Sequence, residues 1–137
     1  MTVVIDACAL VALALDEPAR SFVETRLREW ISNGEAVAAP TLAHYEVSSG
    51  LTKAVVGGFS VADLPAAIAS VDGLPISYHE IGPRKRVVEI AVSLGRRSAY
   101  DASYIALAEQ LDADLWTLDG PLYRNAQSFG YPVRLFA

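Results

Sequence analysis

The chain has 137 residues, a formal net charge of -5, a hydrophobic fraction of 53% and a charged fraction of 20%. These values describe a globular protein with a generous apolar interior and exclude the disordered and low-complexity classes. Cys8 is the only cysteine, so no intramolecular disulfide is available, and with two histidines it cannot complete a structural zinc site.

At this length one domain, residues 1–137, is expected. The β-branched run Thr2–Ile5 reads as a central strand buried on both faces, and Asp6 ends it. An apolar helix follows over Cys8–Leu15. Asp16-Glu17-Pro18 then supplies a start signal for a second helix reaching about Asn33, along which Phe22, Val23, Arg26, Leu27 and Trp30 keep a helical period. Asn33-Gly34 stops that helix, and Ala36–Ala39 forms a second strand. Pro40-Thr41 leads into a helix through about Val56 with a core stripe of Ala43, Val47, Leu51 and Ala54. Ser60 to Val71 is another amphipathic helix, and Asp63 stands at capping-box spacing from Ser60. Pro75–His79 is a third strand.

From Gly82-Pro83 a helix runs to about Leu94 with Val87, Val88, Ile90, Ala91 and Leu94 inward. The next helix opens near Asp101, with Ser98 at capping-box spacing, and buries Tyr104, Leu107, Ala108 and Leu111 at i, i+3, i+4 and i+7. Asp114–Leu118 is a fourth strand that leads to Asp119, Leu122–Phe129 a final helix and Tyr131–Phe136 a last strand. The longest apolar run, Ala7–Leu15, falls far short of the roughly 20 residues of a membrane helix. It follows Asp6 without a basic leader, which does not read as a secretory signal, so a cytoplasmic protein is expected.

Strands alternating with helices imply parallel pairing through right-handed crossovers. The predicted fold is therefore α/β, a three-layer α/β/α sandwich around a central, mostly parallel sheet of about five strands. Ligands of such sheets bind outside the carboxyl ends of the strands. Asp6, Glu46, Asp101 and Asp119 all fall on that edge. Clustered carboxylates repel one another unless they take up protons or a cation, and hard oxygen donors suit magnesium or manganese. Each acid also has a plainer reading. Asp101 completes a capping box with Ser98, Asp119 caps the last helix, and Glu46 is a solvated helix residue. Asp6 resists such a reading, because an acid directly after a buried strand is desolvated and needs a partner. Net charge does not decide the partner, since acids holding a cation present positive potential to a phosphate.

Val-Val-Ile-Asp-Ala at Val3–Ala7, Glu46 in the third helix, and Tyr-Asp-Ala-Ser-Tyr-Ile-Ala-Leu-Ala from Tyr100 followed by Thr117-Leu118-Asp119 resemble the PIN-domain nucleases. Among these the chain is most similar to VapC-type toxins of prokaryotic toxin-antitoxin pairs, in element order as well as in motif. The resemblance implies that Asp6, Glu46, Asp101 and Asp119 surround Mg2+ or Mn2+ and carry catalysis. It further implies a single-strand-specific RNA endonuclease, a homodimer, and a cognate VapB-type antitoxin whose tail fills the groove.

The second position after Asp6 often carries a small hydroxyl residue in this family; here it is Cys8, a weaker donor, which softens any orienting contact. Thr117 matches a polar position of the family and lies on the same strand face as Asp119, where it would orient an acid or a water; an ordinary β-branched strand residue is the other reading. Arg96, Arg97 and Arg124 are the candidate RNA-binding cations, with Arg84-Lys85-Arg86 behind them, and Tyr100 is either packing or a base-stacking ring. A phospho-accepting receiver domain would need paired acids after the first strand and a lysine after the fifth. Ala7 follows Asp6, and the only lysines are Lys53 and Lys85. A PIN-fold nuclease of RNA maturation is the alternative within the same chemistry, and a degenerate PIN fold would not retain its acids.

Overall fold

Val3, Val4 and Ile5 are buried and place β1 (Thr2–Ile5) in the middle of the sheet, where both faces are covered. The computed structural model describes residues 1–137. The other strands are β2 (Ala36–Pro40), β3 (Ile76–His79), β4 (Asp114–Thr117) and β5 (Val133–Leu135). The helices are α1 (Ala7–Leu15), α2 (Arg20–Ser32), α3 (Leu42–Val56), α4 (Leu64–Asp72), α5 (Arg84–Ser93), α6 (Tyr100–Gln110) and α7 (Gly120–Gln127). The sheet order is β3-β2-β1-β4-β5 and every pairing is parallel. Val4 pairs with Ala38 on one side and Leu115 on the other, and all three are inaccessible to solvent. No helix is long and apolar enough to cross a membrane.

This order makes the gap between β1 and β4 the point where the chain reverses direction across the sheet. A crevice opens outside the carboxyl ends of the strands at such a point. Asp6 leaves β1 there and Asp119 follows β4, so topology alone brings the two aspartates together.

Helix α6 is the central helix of its layer. Ala102 to Ala108 are all buried, so the predicted stripe broadens into burial on every side, while Leu111 lies beyond the helix and is only partly covered. It packs on β1, β2, β4 and α5. Elsewhere Trp30 of α2 meets Trp116 of β4 edge-on, with ring centroids 5.4 Å apart, and both approach Phe136.

Several local expectations change. Asp16 does not open α2: it caps the end of α1 in the left-handed conformation (φ 54°), and α2 starts at Arg20 without a side-chain cap. Ser60 accepts a hydrogen bond from Ala62 N, not Asp63 N, because a 3-10 turn over Val61–Asp63 precedes α4. Ser98 does not cap α6; Ala99 holds that position at φ -97°, ψ 8°, outside the extended region a side-chain cap requires. Val88 is 52% exposed, since Val87, Ile90, Ala91 and Leu94 already fill the inward arc of α5. Phe22 is exposed, and Val23, Leu27 and Trp30 carry the buried face of α2.

Gly50 sets the spacing of α1 and α3, the helices that follow Asp6 and carry Glu46. A Cβ added at Gly50 would stand 2.8 Å from Val11 Cγ2. Val11 is β-branched and has little freedom to rotate away. Gly50→Ala is therefore expected to destabilise the fold by about 1–2 kcal/mol despite the better helix propensity of alanine. Adding Val11→Ala should return part of that loss, a coupling read directly in a urea-denaturation double-mutant cycle.

Candidate active site at the carboxyl edge of the sheet

Asp6 is only 7% exposed and sits at the N-terminus of α1 in an extended conformation. Its Oδ1 accepts from Ala9 N at 3.0 Å, and its Oδ2 accepts from the Thr117 hydroxyl. Thr117 is itself fully buried, and its Oγ1 accepts from Asp119 N at 3.0 Å. One hydroxyl thus joins the ends of β1 and β4. Asp119 in turn caps α7, its Oδ1 accepting from Leu122 N at 3.0 Å, so the capping role foreseen for it is real and leaves Oδ2 outside that bond.

Asp101 lies in the first turn of α6, where the positive end of the helix dipole favours an acid. Its Oδ2 stands 3.5 Å from Arg96 Nε, in a half-exposed ion pair. Glu46 projects from α3, and its Oε1 is buried with no hydrogen-bond partner. Tyr104, one turn beyond Asp101, likewise buries a hydroxyl that completes no hydrogen bond but lies near enough to Glu46 for the two groups to influence each other. The sequence pattern assigns Tyr104 to the core, and its ring is indeed buried. Its oxygen, however, borders a small acidic cavity of about 30 Å³, together with Asp6, Cys8, Glu46 and Asp101, over a floor of Leu115 and Leu122. That volume is about one water molecule. A tyrosine where phenylalanine would pack as well, three residues after an acid on one helix face, is the signal that marks it.

The electrostatics follow from burial among like charges. Desolvation pushes Asp6 up to about 7, against the hydrogen bonds from Thr117 and Ala9, and the charges of Asp101 and Asp119 add to the rise. Burial also raises Glu46 against the pull of the Tyr104 hydroxyl, with Asp101 adding to the rise, and raises Asp101 against the pull of Arg96. Cys8 reaches solvent, yet partial burial and then the surrounding carboxylates push its thiol up to about 12. It therefore stays protonated near neutral pH and is no nucleophile.

As the side chains stand, no three of these groups converge on a single ion position. Asp6 and Asp119 are turned to backbone and hydroxyl donors, and Asp101 to Arg96. The cations show a division. Arg97 and Arg124 are exposed, with the Arg124 guanidinium beside Gly120 and so next to Asp119. Arg86 is held by both oxygens of Glu109, at 2.8 and 2.7 Å.

A wholly parallel five-stranded sheet with acids gathered at its switch point defines an α/β protein of acidic-site type. The chain belongs to the PIN-domain family, whose model, described as PIN domain, matches residues 3–127. It is 35% identical to Ribonuclease VapC12 of Mycobacterium tuberculosis, over 97% of this chain and 96% of that one. It is 36% identical to VapC ribonuclease Mb0985 of Mycobacterium bovis, over 92% of each. Among solved structures it resembles PAE2754 from Pyrobaculum aerophilum, with a TM-score of 0.71 and 26% identity, over 99% of this chain and 90% of that one.

The Asp6–Thr117 contact yields two stability predictions. In the folded state Asp6 keeps its proton up to about pH 7, whereas an unfolded aspartate releases it near pH 4. The folded state binds more protons across that window, so this contribution to stability falls as pH rises through it. Asp6→Asn removes the charge, and in chelator-treated buffer it is expected to gain about 2–4 kcal/mol over wild type above that window and nothing below it. Urea denaturation on either side of the window checks this, and identical pH slopes for the two proteins would refute it. Thr117→Val keeps the shape but strips Asp6 and Asp119 N of their shared partner, for an expected loss of about 1–3 kcal/mol in the same assay.

Proposed function

We propose that this PIN domain is a divalent-metal-dependent endoribonuclease that acts as the toxin of a VapBC-type pair. The observation that carries the reading is the gathering of Asp6, Glu46, Asp101 and Asp119, from four separate elements, at one edge, with a single arginine close enough to pair with any of them. The ribonuclease names of the relatives that cover nearly the whole chain support it.

The donor set fits Mg2+ or Mn2+ chemically: all four groups are hard oxygen ligands, and Glu46 Oε1 is buried without a partner. Desolvation and the repulsion of neighbouring acids raise Asp6, Glu46 and Asp101, and a bound cation would relieve that repulsion. Asp6, Glu46, Asp101 and Asp119 would hold the ion. When bound, it supplies Lewis acidity toward a phosphoryl oxygen and toward a water. The protein's own groups do the rest. Thr117 fixes Asp6 against rotation, and Asp119 N against the same hydroxyl keeps the two strand ends in register. Glu46, held above its usual range by burial, is suited to receive a proton from the attacking water; Asp101, raised in the same way, is the other acceptor in reach of the cavity. Arg96, Arg97 and Arg124 would supply charge for the phosphates flanking the cut, Arg96 from its place beside Asp101. Cys8 lines the cavity as a neutral thiol and supports shape, not chemistry. The VapC names of the relatives further support a VapB-type antitoxin as partner. A homodimer in the cytoplasm completes the proposal.

Cleavage of single-stranded RNA is expected to require Mg2+ or Mn2+ and to cease with chelator. Asp101→Asn and Glu46→Gln should each lower kcat about 100-fold or more while remaining folded. Manganese should raise the melting temperature of wild type and leave that of Asp101→Asn unmoved. A folded Asp101→Asn protein that cleaves RNA at the wild-type rate in the presence of metal would sink the mechanism.

A further inference from the structure

A second concavity adjoins the acidic cavity. It holds about 690 Å³, within the roughly 300–1,000 Å³ typical of ligand clefts, and lies between α1 and α3. It shares Ala7, Cys8 and Glu46 with the acidic cavity, so the two form one continuous surface. Tyr45, Lys53 and Tyr100 border it. Both rings are unusually bare for large side chains, Tyr45 68% exposed and Tyr100 49% exposed.

The pairing in sequence is repeated. Tyr45 precedes Glu46 and Tyr100 precedes Asp101, each pair in the first turns of a helix that begins at the carboxyl edge of the sheet. Neighbouring residues on a helix diverge by about 100°. Each helix therefore turns its acid to the cavity and leaves the tyrosine ring at the cleft.

We propose that this cleft is a nucleobase subsite, in which Tyr45 and Tyr100 stack against the base next to the scissile phosphate while Lys53 meets the following phosphate. The proposal rests on the ribonuclease reading of the acids and deepens it. An RNA whose phosphate lies at the acids must send a neighbouring nucleoside into space that opens from the cavity, and this cleft is such a space. A base is flat, apolar on its faces and polar on its edges, which suits two amphipathic rings in a mainly apolar cleft that also holds Ser49 and Lys53; stacking of this kind is tolerant of sequence. Lys53 lies two helical turns beyond Tyr45 and Glu46 on α3 and is the cation of the cleft. Glu17 also borders it and disfavours phosphate on its side, which directs the RNA backbone toward Lys53.

The test uses a fluorescently labelled single-stranded RNA oligonucleotide that the wild-type protein cleaves, and the same oligonucleotide with an abasic nucleotide placed in turn on either side of the cut. Tyr45→Ala and Tyr100→Ala are each expected to raise KM for the intact RNA about tenfold, with kcat changed less. Tyr45→Phe and Tyr100→Phe should stay within about twofold, since the ring faces persist. In chelator, where no cleavage occurs, fluorescence anisotropy should show the same loss of binding for the alanine variants. One abasic position should weaken wild type and abolish its advantage over Tyr45→Ala, as expected for two groups that contact each other. Alanine variants that bind and cleave like wild type, with an unaltered melting temperature, would overturn the subsite and leave the cleft to a protein partner. A wild-type protein that cleaves no RNA under any metal condition would instead overturn the nuclease reading itself, which separates the two failures.

Discussion

A carboxylate buried at the end of the central strand is the constraint to which the rest of this architecture answers. Asp6 accepts from Ala9 N and from Thr117, and those two bonds are its whole supply of donors in the structure. They hold it in place without neutralising it, and burial leaves it with an affinity for protons far above that of an exposed aspartate. Every other feature of the edge is arranged relative to that charge. Thr117 must be buried at the end of β4 to reach it, α1 must begin immediately after it, and Glu46 and Asp101 arrive on helices whose starts face the same gap. The fold tolerates an acid here because Ala9 N and Thr117 supply it with hydrogen bonds.

Much of this could be read from residues alone, for physical reasons that differ from element to element. The run Thr2–Ile5 announces a strand covered on both sides because β-branched residues with no alternation have no solvent face to offer. The alternation of strands with helices forces parallel pairing, and parallel pairing forces the acids that follow strands onto one edge. That chain of constraints located Asp6 and Asp119 without any distance being known. The plainer of the two readings open for Asp119, a cap on α7, is also realised.

The misreadings come from choices that short-range rules do not decide. Ser98 and Asp101 have capping-box spacing, but the backbone at Ala99 is not extended, so the motif has no bond to make and Asp101 pairs with Arg96 instead. Asp16 looks like a helix start and is a helix end, since the abrupt change of direction between α1 and α2 calls for a left-handed residue, which aspartate tolerates. Val88 fits the inward arc by period, yet the arc is filled by its neighbours. Tyr104 hid for the opposite reason: its ring belongs to the core, and only its oxygen reports on the site. In each case packing among distant elements settled what local pattern left open.

The bond between Thr117 and Asp6 spans 111 residues of chain. Contacts of such separation form late, because the closure of so long a loop is unfavourable until nearby structure repays it. The pairing of β1 with β2 draws on the first third of the chain, whereas that of β1 with β4 needs the last third. Without β4, Asp6 would lack Thr117, and Asp119 would have no fixed place beside it. The acids of the edge are thus brought together only by contacts between the two distant ends of the chain.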